Sequence, residues 1–360
     1  MPATPEILHY TGSDHDRGGV VSVIRNLAGA GRFRCVLGVN PGGVQSRTPP
    51  LPALELPAIA GETISPATLW RARAVARAVQ AWLRAAPDRI YHGHSRAGLL
   101  VALWLARWGE ARVVASVHCY GRQRWFYRWA ARRLGGRLYW LSPAMKKYYG
   151  VGDGSWLQCV PGCVGPAAVA ARAAPADGML RLAGVGALVR WKRWDLVVAA
   201  LAQLPDGLKR RVRFRHIGAA EADADSQAYA AELRAATAGN PAVEWLGQQG
   251  SSAALLAESD VLAIASHQEP FSIAMLEALH AGVPVLAADS GGAPDIIRPG
   301  GNGWLFRSGD AAALAAALQA LAAEPARARV AIDAGELRRF GAEAVSAQWL
   351  AIYGERRDAR

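Results

Sequence analysis

The apolar positions of this chain fall into short runs separated by amphipathic stretches, and that alternation sets the first expectation. Glu6-Ile-Leu-His-Tyr10 reads as a strand, a loop with Gly18-Gly19 follows, and Val20–Leu27 is predicted helical. Strand Arg34–Val39 comes next. A regular succession follows it: helix Thr68–Ala85, strand Arg89–His92, helix Arg96–Arg107, strand Arg112–Val117, helix Arg122–Leu134 and strand Arg137–Leu141. Strands separated by helices of about 10 to 15 residues imply βαβ units and a parallel sheet. The run Pro166–Pro175 holds Ala, Pro and Arg with neither period, so residues 166–178 read as a linker. The pattern then restarts with strand Leu180–Val185, helix Trp194–Gln203, strand Val212–Ile217, helix Ser226–Ala236 and strand Val243–Leu246. Helix Ser252–Glu258, strand Val261–Ala265, a helix from Phe271 and strand Val283–Ala288 complete it. The expected class is α/β, with doubly wound Rossmann-like domains over residues 1–165 and 179–342. A helix at about Glu343–Tyr353, within residues 343–360, is expected to pack back on the first domain or on its neighbour. Open parallel sheets bind ligands beyond the carboxyl ends of their strands, so two such domains facing a central cleft direct attention to the loops that follow strands.

Composition narrows the class. A chain of 360 residues that is 52% hydrophobic and 19% charged is globular and not disordered. No apolar run reaches the roughly 18 to 20 residues of a membrane span; the best, Ala97–Leu105, is soon followed by Arg107. Met1–Tyr10 contains Glu6 and no basic stretch before an apolar one, so no secretory leader is expected and a cytoplasmic location is. Cys35, Cys119, Cys159 and Cys163 read as reduced thiols. Pro161 and Gly162 separate Cys159 from Cys163, His92 and His94 lack a third ligand at suitable spacing, and Asp14-His15-Asp16 reads as a solvated turn. No metal and no cofactor are expected. Residues 1–165 carry 21 Lys and Arg against 8 Asp and Glu, whereas residues 166–360 carry 20 against 21. The whole basic excess thus lies in the first half, which points to an anionic partner without choosing among nucleic acid, membrane surface and phosphorylated acceptor.

No GxGxxG follows the first strand and no GxxxxGK[ST] occurs, which argues against dinucleotide and P-loop chemistry. The richest segment is Ser266-His-Gln-Glu269-Pro-Phe-Ser-Ile-Ala-Met-Leu-Glu277. Pro270 suits the first helical position, which makes Glu269 the expected cap. The free N–H groups of Phe271, Ser272 and Ile273 would then form an anion site fit for a pyrophosphate. Glu277, eight residues and so about 12 Å further along at 1.5 Å per residue, is too distant to form one acid/base pair with Glu269. The two carboxylates would serve opposite ends of an extended ligand, or else be a helix cap and a solvated face.

The run Glu269-Pro-Phe-Ser-Ile-Ala-Met-Leu-Glu277-Ala-Leu-His-Ala-Gly-Val-Pro-Val, followed by Asp289-Ser-Gly-Gly-Ala-Pro-Asp295, resembles the donor-binding signature of retaining family-four glycosyltransferases with the GT-B fold. The resemblance takes in Gly18-Gly19, His92-Gly-His94-Ser95, Ser116-Val-His118, Ser142, Val160-Pro-Gly162 and Lys192 ahead of Asp195-Leu196. It implies that Glu269 orients the donor sugar, Glu277 binds the nucleotide ribose and Lys192 neutralises the diphosphate leaving group. It further implies that the amides of Phe271, Ser272 and Ile273 hold sugar or pyrophosphate, that Gly18 and Gly19 let backbone approach the phosphates, that His118 lies near the reacting centre and that Gly247 lies near the base. A strand-end histidine satisfied by backbone is the other reading of His118. Three positions depart from the family pattern. Ala187 stands where a diphosphate-binding arginine is usual, with Arg190 as its candidate replacement; Ser272 replaces a common glycine; Asp295 replaces a glutamate.

Arg122, Arg124, Trp125, Arg128, Trp129, Arg132 and Arg133 interleave cations with aromatic rings. That pattern suits an acceptor or anionic-membrane surface, and it also suits a helix whose aromatic stripe is buried on the sheet. The reading that results is a metal-independent glycosyltransferase, moving a sugar from a nucleotide-sugar donor to a glycan or lipid-linked acceptor. Its expected place is bacterial surface polysaccharide or lipopolysaccharide synthesis, at the inner face of the cytoplasmic membrane and with no nucleic-acid partner. A sugar-nucleotide epimerase or phosphorylase of the same fold, or a non-catalytic basic binding protein, is the alternative.

Overall fold

A computed structural model describes residues 4–12, 18–43, 45, 49–59, 65–152, 154–165 and 177–358. The turn Asp14-His15-Asp16 and linker residues 166–176 lie outside them. The chain divides into one unit of Met1–Pro166 with Arg339–Arg360 and another of Ala167–Arg338.

The first unit is built on strands β1 (Glu6–Tyr10), β2 (Arg34–Val39), β3 (Ala53–Glu55), β4 (Arg89–Gly93), β5 (Val113–Val117) and β6 (Leu138–Trp140). They pair in the order β3-β2-β1-β4-β5-β6, all parallel. Strand order reverses between β1 and β4, where His9 and His92 are register partners. Residues in register on neighbouring strands share a face, so the two imidazoles stand side by side. Helix Pro66–Arg84 opens two residues before its expected start because Ser65 accepts from Thr68 N and its own N–H donates to Thr68 Oγ1, a reciprocal cap. The C-terminal helix, Ala342–Asp358, belongs to this unit and buries Trp349 and Tyr353.

The second unit repeats the plan with β7 (Leu180–Val185), β8 (Val212–Ile217), β9 (Val243–Trp245), β10 (Val261–Ile264), β11 (Val285–Ala288) and β12 (Gly303–Phe306). The order is β12-β11-β10-β7-β8-β9, and all pairings are parallel. β10 lies beside β7, so the switch point of this sheet falls between them. Trp194, Phe214, Val261, Leu286 and Leu318 fill its core. Strands β3 and β12 and helix Ala311–Ala323 add to the elements read from the sequence. No helix among the described residues is long and apolar enough to cross a membrane.

Candidate active site

Two loops meet at the switch point of the second unit. The chain leaves β7 through Gly186 and makes a 3₁₀ turn at Arg190–Lys192; it leaves β10 through Ala265 and runs to Glu269. Lys192 Nζ lies 2.6 Å from Glu269 Oε2, and Ser266 Oγ donates to the same oxygen at 2.8 Å. The pair is largely buried, with side-chain exposures of 15% and 7%. A buried ion pair persists only where each charge keeps its partner, so the two loops hold each other in place. Backbone contacts reinforce them: His267 N donates to Trp191 O at 2.8 Å, and the Lys192 ammonium sits 4.3 Å from the centre of the Trp191 ring. Trp191 is 44% exposed beside the pair.

The Glu269 loop is clamped from β11's side as well. Ser290 Oγ accepts from Gln268 N at 3.2 Å and donates to Ser266 O at 3.0 Å, while Gly292 N donates to Glu269 O at 2.8 Å. Gly291 has a left-handed φ of +59°, and a Cβ there would lie 2.1 Å from Glu269 O. Gln268, also left-handed at φ 56°, stores strain immediately before the buried carboxylate.

Glu269 is therefore not the helix cap expected from the sequence. The helix is Ile273–His280, and its cap is Ser272, whose hydroxyl accepts from Met275 N. The reason is tertiary: Lys192 and Ser266 occupy the Glu269 carboxylate, which leaves the extended Ser272 to cap. Pro270, Phe271 and Ser272 precede the first turn, and the Phe271 side chain is buried. Of the amides considered for anion binding, only that of Ile273 lies in the helix. Glu277, half-buried, accepts from Ser252 Oγ at 2.7 Å. Arg190, read as a replacement for an arginine at Ala187, turns to helix Ala224–Ala236. There it pairs with Asp225 at 2.8 Å and Glu232 at 2.8 Å, over the ring of Tyr229. Gly247 follows β9 with φ 69°, and its carbonyl accepts from Gly218 N. Sequence reasoning gave no role to Ser266, Ser252, Trp191 or His216. His216 is buried against Trp194 and Trp245, and burial lowers its pKa to about 3, with Lys192 contributing in the same direction.

In the first unit the switch point carries imidazoles. His9 Nδ1 is 2.8 Å from His94 Nε2, and His94 Nδ1 is 3.0 Å from His118 Nε2. His92 stacks on His94 at 3.9 Å, with its nitrogens 2.7 Å from Tyr353 OH and 2.7 Å from Ser116 Oγ. Burial holds all four neutral: His9 is lowered to about 3, His118 to about 4, and His92 and His94 well below the ordinary imidazole value. His9 is the third nitrogen donor that spacing alone did not offer to His92 and His94; the ligand atoms of the three lie within 4.8 Å of one another. His118 follows β5 directly, at the strand-end position read for it, and is partly exposed; the partner of its ring is His94 and not the backbone expected. Gly18, with φ 96°, precedes helix Gly19–Gly29 and leaves that helix without a side-chain cap.

The basic-aromatic segment forms helix Arg124–Leu134, which buries Phe126, Tyr127, Ala130 and Leu134. Trp125 and Trp129 are 66% and 41% exposed, which corrects the buried-stripe alternative: the stripe facing the sheet lies on the other side of the helix. Arg122, Arg124, Arg128, Arg132 and Arg133 share the exposed surface. Arg124 lies over the Tyr148 ring, Arg128 Nε donates to Tyr149 O at 2.6 Å, and Arg133 lies over Trp129.

Comparison with known proteins places this geometry. Residues 174–338 match the family Glycosyl transferases group 1. An N-acetyl-alpha-D-glucosaminyl L-malate synthase of Bacillus anthracis is 35% identical over 114 residues, 31% of this chain and 30% of that protein. A D-inositol 3-phosphate glycosyltransferase of Actinosynnema mirum is 37% identical over 111 residues, 30% of this chain and 27% of that protein. The aligned part of the chain thus spans less than a third of the length of these curated relatives. Among solved structures, sucrose-phosphate synthase from Thermosynechococcus elongatus superposes with a TM-score of 0.75 at 19% identity, over 98% of this chain and 99% of that one. Anabaena HepE in complex with UDP does so with a TM-score of 0.74 at 19% identity, over 97% of this chain and all of that one. The chain has the α/β GT-B fold, and the segment that matches the glycosyl transferases group 1 family carries the Lys192–Glu269 pair.

Proposed function

We propose that this protein transfers a sugar, with retention at the anomeric carbon, from a nucleoside-diphosphate donor to a hydroxyl of a glycan or lipid-linked acceptor. The observation that carries the reading is the Lys192–Glu269 pair, set at the carboxyl ends of β7 and β10 inside the family-matched segment. Charge develops on the diphosphate as the glycosidic bond breaks, and a pre-positioned cation in a water-poor site is the strongest single lever on such a step. Lys192 supplies that cation. Glu269, held by Ser266, orients sugar hydroxyls; Glu277 faces the ribose; the Ile273 amide and the backbone of Phe271 and Ser272 meet the sugar or pyrophosphate. Gly247 lies toward the base, and the resemblance implies parts for Gly18, Gly19 and His118 as well. No metal ligand and no cofactor enter this scheme. Attack and departure on one face of the sugar require no enzyme nucleophile.

The first unit is assigned the acceptor. Exposed Trp125 and Trp129 among Arg122, Arg124, Arg128, Arg132 and Arg133 support peripheral contact with an anionic membrane. A lipid-linked intermediate of bacterial surface polysaccharide or lipopolysaccharide would be presented at the inner face of the cytoplasmic membrane.

The test is a thermal-shift screen against nucleoside diphosphates and nucleotide sugars, UDP first because it is the ligand named for HepE. A ligand at about 100 times its dissociation constant adds about 2.7 kcal/mol of stability. One base should raise the melting temperature of the wild type and not that of Lys192→Ala. No response to any nucleotide overturns the donor site. A free epimerised sugar nucleotide or a sugar phosphate as product, in place of a glycoside, overturns the transfer reaction.

A further inference from the structure

His9, His94 and His118 come from three different strand ends, yet they form one hydrogen-bonded row. A neutral imidazole has one N–H and one bare nitrogen. Each contact in the row therefore needs one ring donating and one accepting. If His9 Nδ1 donates, His94 Nε2 accepts, His94 Nδ1 donates and His118 Nε2 accepts; reversing one bond reverses both. Burial keeps the rings neutral, so a doubly protonated imidazole does not break the rule. His92 stands outside the row, because Ser116 and Tyr353 occupy both of its nitrogens.

The two ends of the row decide its direction. His9 is fully buried, and its Nε2 has no hydrogen-bond partner among the described residues. If the row ran from His118 toward His9, that atom would be a buried N–H with no acceptor, and orphaned buried N–H groups are rare in folded proteins. In the opposite direction His9 Nε2 is a bare nitrogen, and the surplus N–H appears on His118. There it is useful, since His118 follows β5 directly and is partly exposed at the sheet's carboxyl end.

We infer that His94, itself oriented by His9, is a positioning residue that holds His118 as the neutral Nδ1–H tautomer, so that His118 meets a ligand oxygen as a hydrogen-bond donor and not as a base. The use of that donor in sugar transfer rests on the proposed function; the tautomer does not.

The test is long-range ¹⁵N–¹H correlation spectroscopy on the full chain labelled at histidine, with resonances assigned by single substitutions. In the wild type His118 should show a protonated Nδ1 and a bare Nε2, whereas free histidine favours the reverse. His94→Leu should shift His118 toward the Nε2–H form. His94→Gln, whose amide can still donate to His118 Nε2, should keep the wild-type pattern. A proton on His118 Nε2 in the wild type overturns the inference, and it does so whether or not the leucine variant folds. An unchanged His118 spectrum in folded His94→Leu overturns the part given to His94. The expected tautomer in a protein that binds no nucleotide would leave this inference standing and remove the donor site instead.

Discussion

Mild acid should remove much of the stability of the first unit. His9, His92 and His94 are buried there and His118 is partly exposed; all four are held neutral, and each titrates near 6.5 once unfolded. The folded values lie below the unfolded one, so the unfolded state binds more protons as the pH drops, and stability falls with it. The effect is absent above about pH 7 and develops from about pH 6.5 downward. Integrating the linkage from about pH 7 to about pH 5.5 gives roughly 1.3 kcal/mol for one histidine that stays neutral when folded. Four together lose about 5 kcal/mol, the low end of the 5–15 kcal/mol that holds a domain together. His216, whose pKa is lowered to about 3 by burial, adds one such term to the second unit, which should lose about a quarter as much. Hydrogen exchange read by mass spectrometry across that pH range, corrected for the intrinsic exchange rate, separates the two units. Protection should collapse first in β1, β4 and β5. Equal loss in both units, or none by about pH 5.5, would refute the neutral burial of the row.

Lys192→Ala strands the Glu269 carboxylate and should cost about 3–5 kcal/mol as well as turnover; adding Glu269→Ala should restore the melting temperature but not activity, and Glu277→Ala should chiefly weaken nucleotide binding in calorimetry. Gly291→Ala forces a side chain into a left-handed position against Glu269 O, so a loss of at least about 1–3 kcal/mol in urea unfolding should accompany reduced turnover. Arg190→Ala should leave nucleotide affinity unchanged if the arginine keeps to Asp225 and Glu232; a clear loss would show that it swings to the donor. Replacing Arg122, Arg124, Arg128, Arg132 and Arg133 together should weaken binding to anionic vesicles in co-sedimentation, and unchanged binding sinks the membrane contact.

What the sequence disclosed follows the range of the forces involved. Strands such as Val113–Val117 and Val261–Ile264 are fully buried, so their apolar runs are self-evident. β3 has three residues and only partial burial, too little for any period to register. Ser272 as a cap was legible, since serine ahead of Ile-Ala-Met is a favoured helix start; Pro270 competed for that role under an equally local rule. No local rule reveals that Lys192 reaches Glu269 77 positions away, because the parallel order that sets β7 beside β10 creates the contact. His9 joins His92 and His94 for the same reason. The exposed faces of Trp125 and Trp129 were accessible to helical periodicity, since Phe126, Tyr127, Ala130 and Leu134 already define the inward stripe.

One strand order thus presents two kinds of chemistry. Where β7 meets β10, the loops carry a buried cation and anion; where β1 meets β4, the side chains are neutral imidazoles. The charge excess of the first half therefore does not lie at its switch point. It lies on helices that cover the sheet, at exposed residues such as Arg77, Arg84, Arg124 and Arg132. On the proposed function, attraction of an anionic surface falls to these helices and handling of the reacting groups to the switch-point loops. For that reason, loss of the surface arginines should weaken vesicle binding while leaving turnover on a soluble acceptor close to that of the wild type.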